Sequence, residues 1–239
     1  MLSFLCDTLQ MPAASIRARV RAEMIDEIKA VARRHLAADG ANLSLRAVAR
    51  DMGMVSSAVY RYFPSRDELL TALILDGYTA LGDAAEAGDA SVRDRTQLRA
   101  RWLATGRAIR RWALAQPAEY ALLFGSPVTG YHAPPETTVA AQRTPLVLLR
   151  ILADAPAALR PVKLPAPVSR DVKLVAKRLA EIPGGPTVTP AQLSLGSIAW
   201  IHLFGALSFE LFGQLNNVIE AREEYFDLQL TLMAELIGI

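Results

Sequence analysis

The chain's three histidines, His35, His132 and His202, are the side chains best placed for acid–base or metal chemistry near neutral pH. They lie in separate stretches, and none has a cysteine or carboxylate at the spacing of a metal ligand or catalytic partner. The single cysteine, Cys6, can close no internal disulfide, which fits a reducing cytoplasm. An enzyme needs a convergent set of titratable groups. None is visible here, so the expectation is no enzyme, no metal and no cofactor.

Recognition chemistry is better represented. In residues 44–63 the small Ala49 sits where two helices can cross closely, and Gly53, four residues on, can supply a turn with positive φ. Val59, six further, can face back into a small core with Leu45 and Val48. This is the spacing of a helix-turn-helix. It leaves Ser56, Ser57, Ala58 and Arg61 on the outer face of the second helix, the one that enters a major groove. Residues 15–66 also carry ten Lys/Arg against five Asp/Glu, giving them +5 while the rest of the chain holds −3. Charge alone favours a solvated helix face over a phosphate-binding one, and the small–glycine–aliphatic spacing alone is a weak signal.

Those residues need helices to carry them, and the composition supplies them. The 239 residues are 52% hydrophobic and 21% charged with a net charge of +2, which excludes a disordered tail protein and allows one or two domains. No apolar run approaches the ~18 residues of a membrane span, so no membrane partner is expected. The opening Met-Leu-Ser-Phe-Leu-Cys lacks the basic lead and the length of a signal peptide, and Met11 is a second candidate start.

Apolar positions Val20, Met24, Ile28, Val31 and Leu36 predict a first helix ending at Gly40. Ser44 caps a second to Met52, a third runs from Ser56 to Phe63, and Ser65 with Glu68 forms a capping box that opens a fourth. Beyond residue 90 the predicted helices are Arg93–Gln116, Ala118–Phe124, Glu136–Ala155 with Pro145 as a kink or true start, Pro190–Gln214 and Ile219–Ile237. Seven of the fourteen prolines fall between Pro156 and Pro190, which predicts a loop holding one short amphipathic helix on Val168, Val172, Val175, Leu179 and Ile182.

The runs Leu43-Ser44-Leu45-Arg46-Ala47-Val48-Ala49-Arg50, then Gly53, then Ala58-Val59-Tyr60-Arg61-Tyr62-Phe63-Pro64-Ser65-Arg66-Asp67-Glu68-Leu69-Leu70 resemble the DNA-binding module of TetR-family transcriptional regulators over about residues 17–75. The resemblance implies an all-α homodimer: a three-helix DNA-binding head and a larger helical body for ligand binding and dimerisation. The corresponding divisions are 1–16 as an N-terminal extension, 17–64 as the head and 65–239 as the body, with the Pro-rich loop at 156–190. The implied partners are palindromic double-stranded operator DNA, a second copy and a small-molecule effector, usually for repression.

The chemistry of the matched residues agrees with this. Ser44, at a helix N-terminus, can meet a phosphate, and Arg46, one turn in, can reach the backbone. Tyr60 and Tyr62 resemble family positions that rest on the sugar-phosphate chain, and Arg66 replaces the commoner lysine as a phosphate clamp. Ser56, Ser57 and Arg61 are the expected base readers, Arg61 being suited to guanine. Arg17, Arg19 and Arg21 either add minor-groove or phosphate contacts or form a solvated helix start.

In the body, Pro117 to Tyr131, Gln142 to Leu146 and Trp200 through Gly213 resemble the TetR subgroup named for a Trp-His-Gly motif. In that subgroup a histidine precedes the glycine. Here Phe204 precedes Gly205 and the histidine is His202, so a more apolar pocket is expected, with Trp102, Phe124, Tyr131, Trp200 and Phe204 as its lining. The alternative is a DNA-binding regulator or scaffold without a ligand. About 150 residues beyond the head favour a sensor.

Overall fold

The computed structural model describes residues 13–39, 43–155, 163–182 and 184–239, and among them every regular element is a helix. Cys6, Met11, Gly40 and most of the 1–16 extension lie outside the described residues. The chain divides into two compact units, residues 1–72 and 73–239.

The first unit holds α1 (Ala13–Asp39), α2 (Leu45–Asp51), α3 (Ser56–Val59) and the opening turns of α4 (Arg66–Ala90). Its core joins Ile28, Val31, Ala32 and Leu36 of α1 to Leu45, Val48 and Ala49 of α2 and Val59 of α3. Leu69 and Leu70 of α4 are also fully buried. The division therefore falls after Ala72 rather than after Pro64, because the first apolar turn of α4 completes the small core.

Gly53 adopts φ +65°, and the amides of Gly53 and Met54 donate to Arg50 O and Ala49 O at 3.0 and 2.9 Å. That pair of bonds is the glycine-dependent helix ending that satisfies the last carbonyls of α2. α3 is only four residues, shorter than predicted. Val59 O accepts from both Tyr62 and Phe63 amides, so residues 60–62 run on as tight turns to the break before Pro64. Ser65 Oγ accepts from the Glu68 amide at 3.1 Å, as a cap of α4 requires.

The second unit contains the rest of α4 with α5 (Leu98–Ala115), α6 (Pro117–Phe124), α7 (Glu136–Ala153), α8 (Ala166–Glu181), α9 (Pro190–Leu211) and α10 (Arg222–Ile237). α5 starts at Leu98 rather than Arg93. The Asp94 carboxylate accepts from Thr96 N and Oγ1 and from Gln97 Nε2, which holds this stretch in a side-chain turn. α7 continues through Pro145, and α8 lies in the Pro-rich stretch with Val172, Ala176 and Leu179 against the core.

α9 is the central helix, packed against α5, α6, α7, α8 and α10. It opens on a capping box between Thr189 and Gln192 that the sequence reading missed. It is also long and apolar enough to cross a bilayer, so the expectation that no segment reaches that length is corrected. In this fold its apolar length serves the core instead: Leu203 and Leu207 are buried inside the body.

Buried charge is paired. Arg101, 1% exposed, donates to Asp89 Oδ1 at 2.7 Å and Asp154 Oδ2 at 2.6 Å. Burial pushes the Asp89 carboxyl up, yet bonds from Arg101 and Arg95 hold it below the usual carboxylate range. Arg110 makes a two-pronged pair with Glu210 at 2.9 and 2.7 Å, which accounts for a buried carboxylate in α9.

Candidate functional site

The helix-turn-helix presents its polar residues outward because its apolar ones are used inward. Ser57, Tyr60 and Arg61 are exposed on α3 and the turn that follows it, and Ser56 is half-buried beside them. Arg46 is exposed on α2. Ser44 is the N-cap of α2, its Oγ accepting from the Ala47 amide at 3.4 Å. A hydroxyl that accepts in this way still has its own proton to donate, so a phosphate oxygen is a suitable partner. Phe63, in contrast, is a core residue, 6% exposed.

Two assigned side chains have further work that spacing alone did not reveal. Arg66 Nε donates to Leu43 O at 3.1 Å, and Nη1 lies 3.7 Å from the Asp67 carboxylate. Arg66 therefore ties the start of α4 to the residue preceding the Ser44 cap. Tyr62 is half-buried under the Arg21 guanidinium, whose carbon lies 5.1 Å from the ring centre. Arg21 Nη2 also reaches Arg61 O at 3.4 Å, so α1 braces the segment carrying the outward residues. His35 Nε2 lies 2.7 Å from Asp51 Oδ2, a second brace between α1 and the end of α2. Neither brace has a sequence signal, since each joins positions far apart in the chain.

The five body residues expected to line a pocket do not come together as one set. Phe124, Trp200 and Phe204 do: ring centres are 4.4 Å apart for Phe124–Phe204 and 4.3 Å for Trp200–Phe204. Tyr120, which was not singled out, is the buried centre of this cluster. It packs on Phe124 at 5.0 Å and parallel to Phe204 at 6.4 Å. Its hydroxyl donates to Phe204 O at 2.8 Å and lies 2.9 Å from Ser208 Oγ. Burial pushes the Tyr120 phenol up, against the opposing hydrogen bond to Ser208. Trp200 also forms one wall of a 120 Å³ cavity between α7 and α9, with Pro145, Leu149 and Gly196. Tyr131 is half-buried and interacts electrostatically with Tyr78, which packs edge-on against Phe124.

Trp102 is elsewhere. It is 1% exposed, and its Nε1 donates to Leu230 O of α10 at 2.9 Å, which makes it a core anchor between α5 and α10. His202, set aside as isolated, lines a different cavity between α9 and α10. Among the described residues no group of three or more His, Cys, Asp or Glu is arranged to hold a metal ion.

A helix-turn-helix with an outward polar recognition face, in a chain with a separate larger helical unit, defines a DNA-binding regulator. Comparison with known proteins sharpens that class. Residues 28–73 match the family described as bacterial regulatory proteins, tetR family, and residues 102–233 match the tetracyclin repressor-like C-terminal domain. HTH-type transcriptional regulators of Mycobacterium tuberculosis (Rv1816) and Mycobacterium bovis (Mb1846) are each 38% identical over 234 residues, covering 93% of this chain and 95% of theirs. The crystal structure of the regulatory protein SCO4313 is similar with a TM-score of 0.72 at 33% identity, over 96% of this chain and 100% of that one. PfmR, a TetR-family regulator from Thermus thermophilus, shares the fold at 16% identity, with a TM-score of 0.56 over 87% of this chain and 97% of its own. The chain belongs to the TetR family of transcriptional regulators. It is a DNA-binding protein and not an enzyme.

Proposed function

We propose that this regulator is a cytoplasmic homodimeric repressor that reads a palindromic operator and releases it when a small, mostly apolar effector binds the body. The observation that carries the DNA half is the outward row Ser57, Tyr60 and Arg61 beside the capped start of α2. In this reading Ser44, Arg46, Tyr60, Tyr62 and Arg66 position the sugar-phosphate backbone, while Ser56, Ser57 and Arg61 face base edges.

The dimer half is supported by apolar surface left uncovered on the last two helices. Ile198, Ile201 and Phe209 of α9, Phe212 at its end, and Leu228 and Leu232 of α10 are all at least 45% exposed. Leu203 and Leu207 lie outside this seam, because the body's own core consumes them. Isologous contact through these faces would set two heads for half-sites about one helical turn apart, so pairing and palindrome reading are one requirement.

The effector half is supported by the aromatic cluster of Phe124, Trp200 and Phe204, with Tyr131 linked to it through Tyr78 and the neighbouring cavity apolar. Among the described residues no Lys, Arg, Asp or Glu lines that cavity, so a charged ligand in it would lose its hydration without gaining a counter-ion. The effector acts only by preferring one body shape over the other. α4, continuous from residue 66 to residue 90, is the element that would carry the change.

In vitro selection from random duplex, followed by anisotropy titration, tests the reading. Selected sites with two-fold-related halves and far weaker binding to random duplex are expected. Enrichment of a single unrepeated half-site bound by a monomer would overturn it.

A further inference from the structure

The helix at the recognition face opens on a side chain that neither caps nor packs. Val55 is the N-cap of α3, in extended backbone with φ −70° and ψ 140°. That position favours Ser, Thr, Asp or Asn, whose oxygens accept from the first free amides of a helix, and valine is among the poorest choices there. α3 accordingly has no side-chain cap, whereas Ser44 caps α2, Ser65 caps α4 and Thr189 caps α9. Nor does Val55 fill the core. It is 71% exposed, while Val59, one turn on, is fully buried.

A local rule broken with no compensating gain in the fold points to a function. Single exposed apolar side chains are ordinary on a surface, but this one stands at a particular place. In a helix-turn-helix the N-terminal residues of the second helix approach the base edges in the major groove. Val55 is at that end of α3, two residues from the outward Ser57. Besides hydrogen-bond donors and acceptors, a major groove presents one apolar group, the C5 methyl of thymine. The valine side chain neither donates nor accepts. Pressed against any other base edge it would strip water from polar atoms without forming a bond.

We propose that Val55 is a specificity-determining residue that selects thymine in the operator, its branched side chain packing on the C5 methyl beside the bases faced by Ser56, Ser57 and Arg61. This role rests on the DNA reading above and adds to it a base that no side-chain hydrogen bond identifies. Losing one buried methyl lowers affinity about fourfold. The group recognised is the methyl rather than the whole base. Cytosine carrying a C5 methyl therefore presents the same apolar surface to Val55, and unmethylated cytosine does not.

The test uses the full-length protein and the duplex recovered by in vitro selection from random sequence, resynthesised with each thymine in turn replaced by deoxyuridine. Deoxyuridine lacks only the methyl, so base pairing is kept. At one thymine position the wild-type protein should lose about fourfold in affinity, and Val55→Ala should lose nothing there. At the same position wild type should prefer 5-methylcytosine to cytosine, and Val55→Ala should erase that preference. Val55→Ser should supply the missing cap, raising the melting temperature while abolishing the response to deoxyuridine. Deoxyuridine penalties that all survive in Val55→Ala would overturn the assignment and leave the DNA reading standing. Equal binding of every deoxyuridine duplex by wild type would do the same, placing Val55 on the sugar-phosphate chain. A lower melting temperature for Val55→Ser would also overturn it, since the side chain would then be packing in the fold. If selection returned no preferred sequence, the DNA reading itself would fail and the assignment with it.

Discussion

In the head, the seven residues of α2 and four of α3 bury Leu45, Val48, Ala49 and Val59 and turn Ser57, Tyr60 and Arg61 outward. In the body, the 22 residues of α9 are apolar nearly all round, burying Leu203, Phe204 and Leu207 while leaving Ile198, Ile201 and Phe209 exposed. A short helix around a small core has one apolar face, so its opposite face is known once the core is known. A long helix that is apolar all round has no such default. Its recognition surface is whatever its neighbours leave uncovered, and only packing decides that.

The largest expected effect separates these two kinds of surface. Ile201→Glu with Phe209→Glu places charge on the uncovered face of α9 without touching the buried core. Sedimentation should show a monomer at micromolar concentration and operator binding should be lost, while the helical signal on heating is kept. A stable dimer in that variant would mean the seam lies elsewhere.

Next in size is the buried charge of the body. Arg101→Ala leaves the Asp89 carboxylate without its buried partner and should cost about 3 kcal/mol in denaturant unfolding. Because Asp154 is more than half exposed, Asp154→Asn should cost far less. Equal losses would show that the network is not centred on Asp89.

In the head, Arg61→Ala should narrow the gap between operator and random duplex by about 1–3 kcal/mol. Arg66→Ala should weaken binding to both alike and flatten the salt slope by about one unit. It should also lower thermal stability, since Arg66 Nε holds Leu43 O. An unchanged salt slope would leave Arg66 with the structural bond alone. Gly53→Ala has room for its methyl but must hold φ +65°, so a loss of about 1–2 kcal/mol is expected from the backbone.

The smallest effect is that of acid. The hydrogen bond from Arg107 holds the Asp227 carboxyl below the usual range, against a smaller opposing effect of burial, and Asp89 is likewise lowered. Folded values below unfolded ones mean that this stabilisation is complete above about pH 4. It should disappear as pH falls through the lower folded values, with no change between pH 6 and 8. Asp227→Asn should flatten the acid limb of a stability–pH curve.

Much of the architecture was legible in the residues themselves. Ala49, Gly53 and Val59 specify the crossing, the turn and the small core because each demand is local: a small side chain, a positive φ and one inward apolar face. Ser65 and Glu68 mark the start of α4 for the same reason. The length of α5 was not legible, because the carboxylate of Asp94 competes for the amides that would have extended it. Nor was the second duty of Arg66, whose acceptor at Leu43 lies 23 positions earlier in the chain.

In the body the sequence determined that the last two elements would be helices and offered Trp102, Phe124, Tyr131, Trp200 and Phe204 as candidate lining. Which of those residues meet was decided by the fold. Trp102 is drawn away to Leu230, Tyr120 moves to the centre, and His202 is left at a cavity beside Gly205. Periodicity assigns a residue to a face of its own helix. The neighbour against that face depends on long-range packing, which decides whether the face becomes core, pocket or open surface.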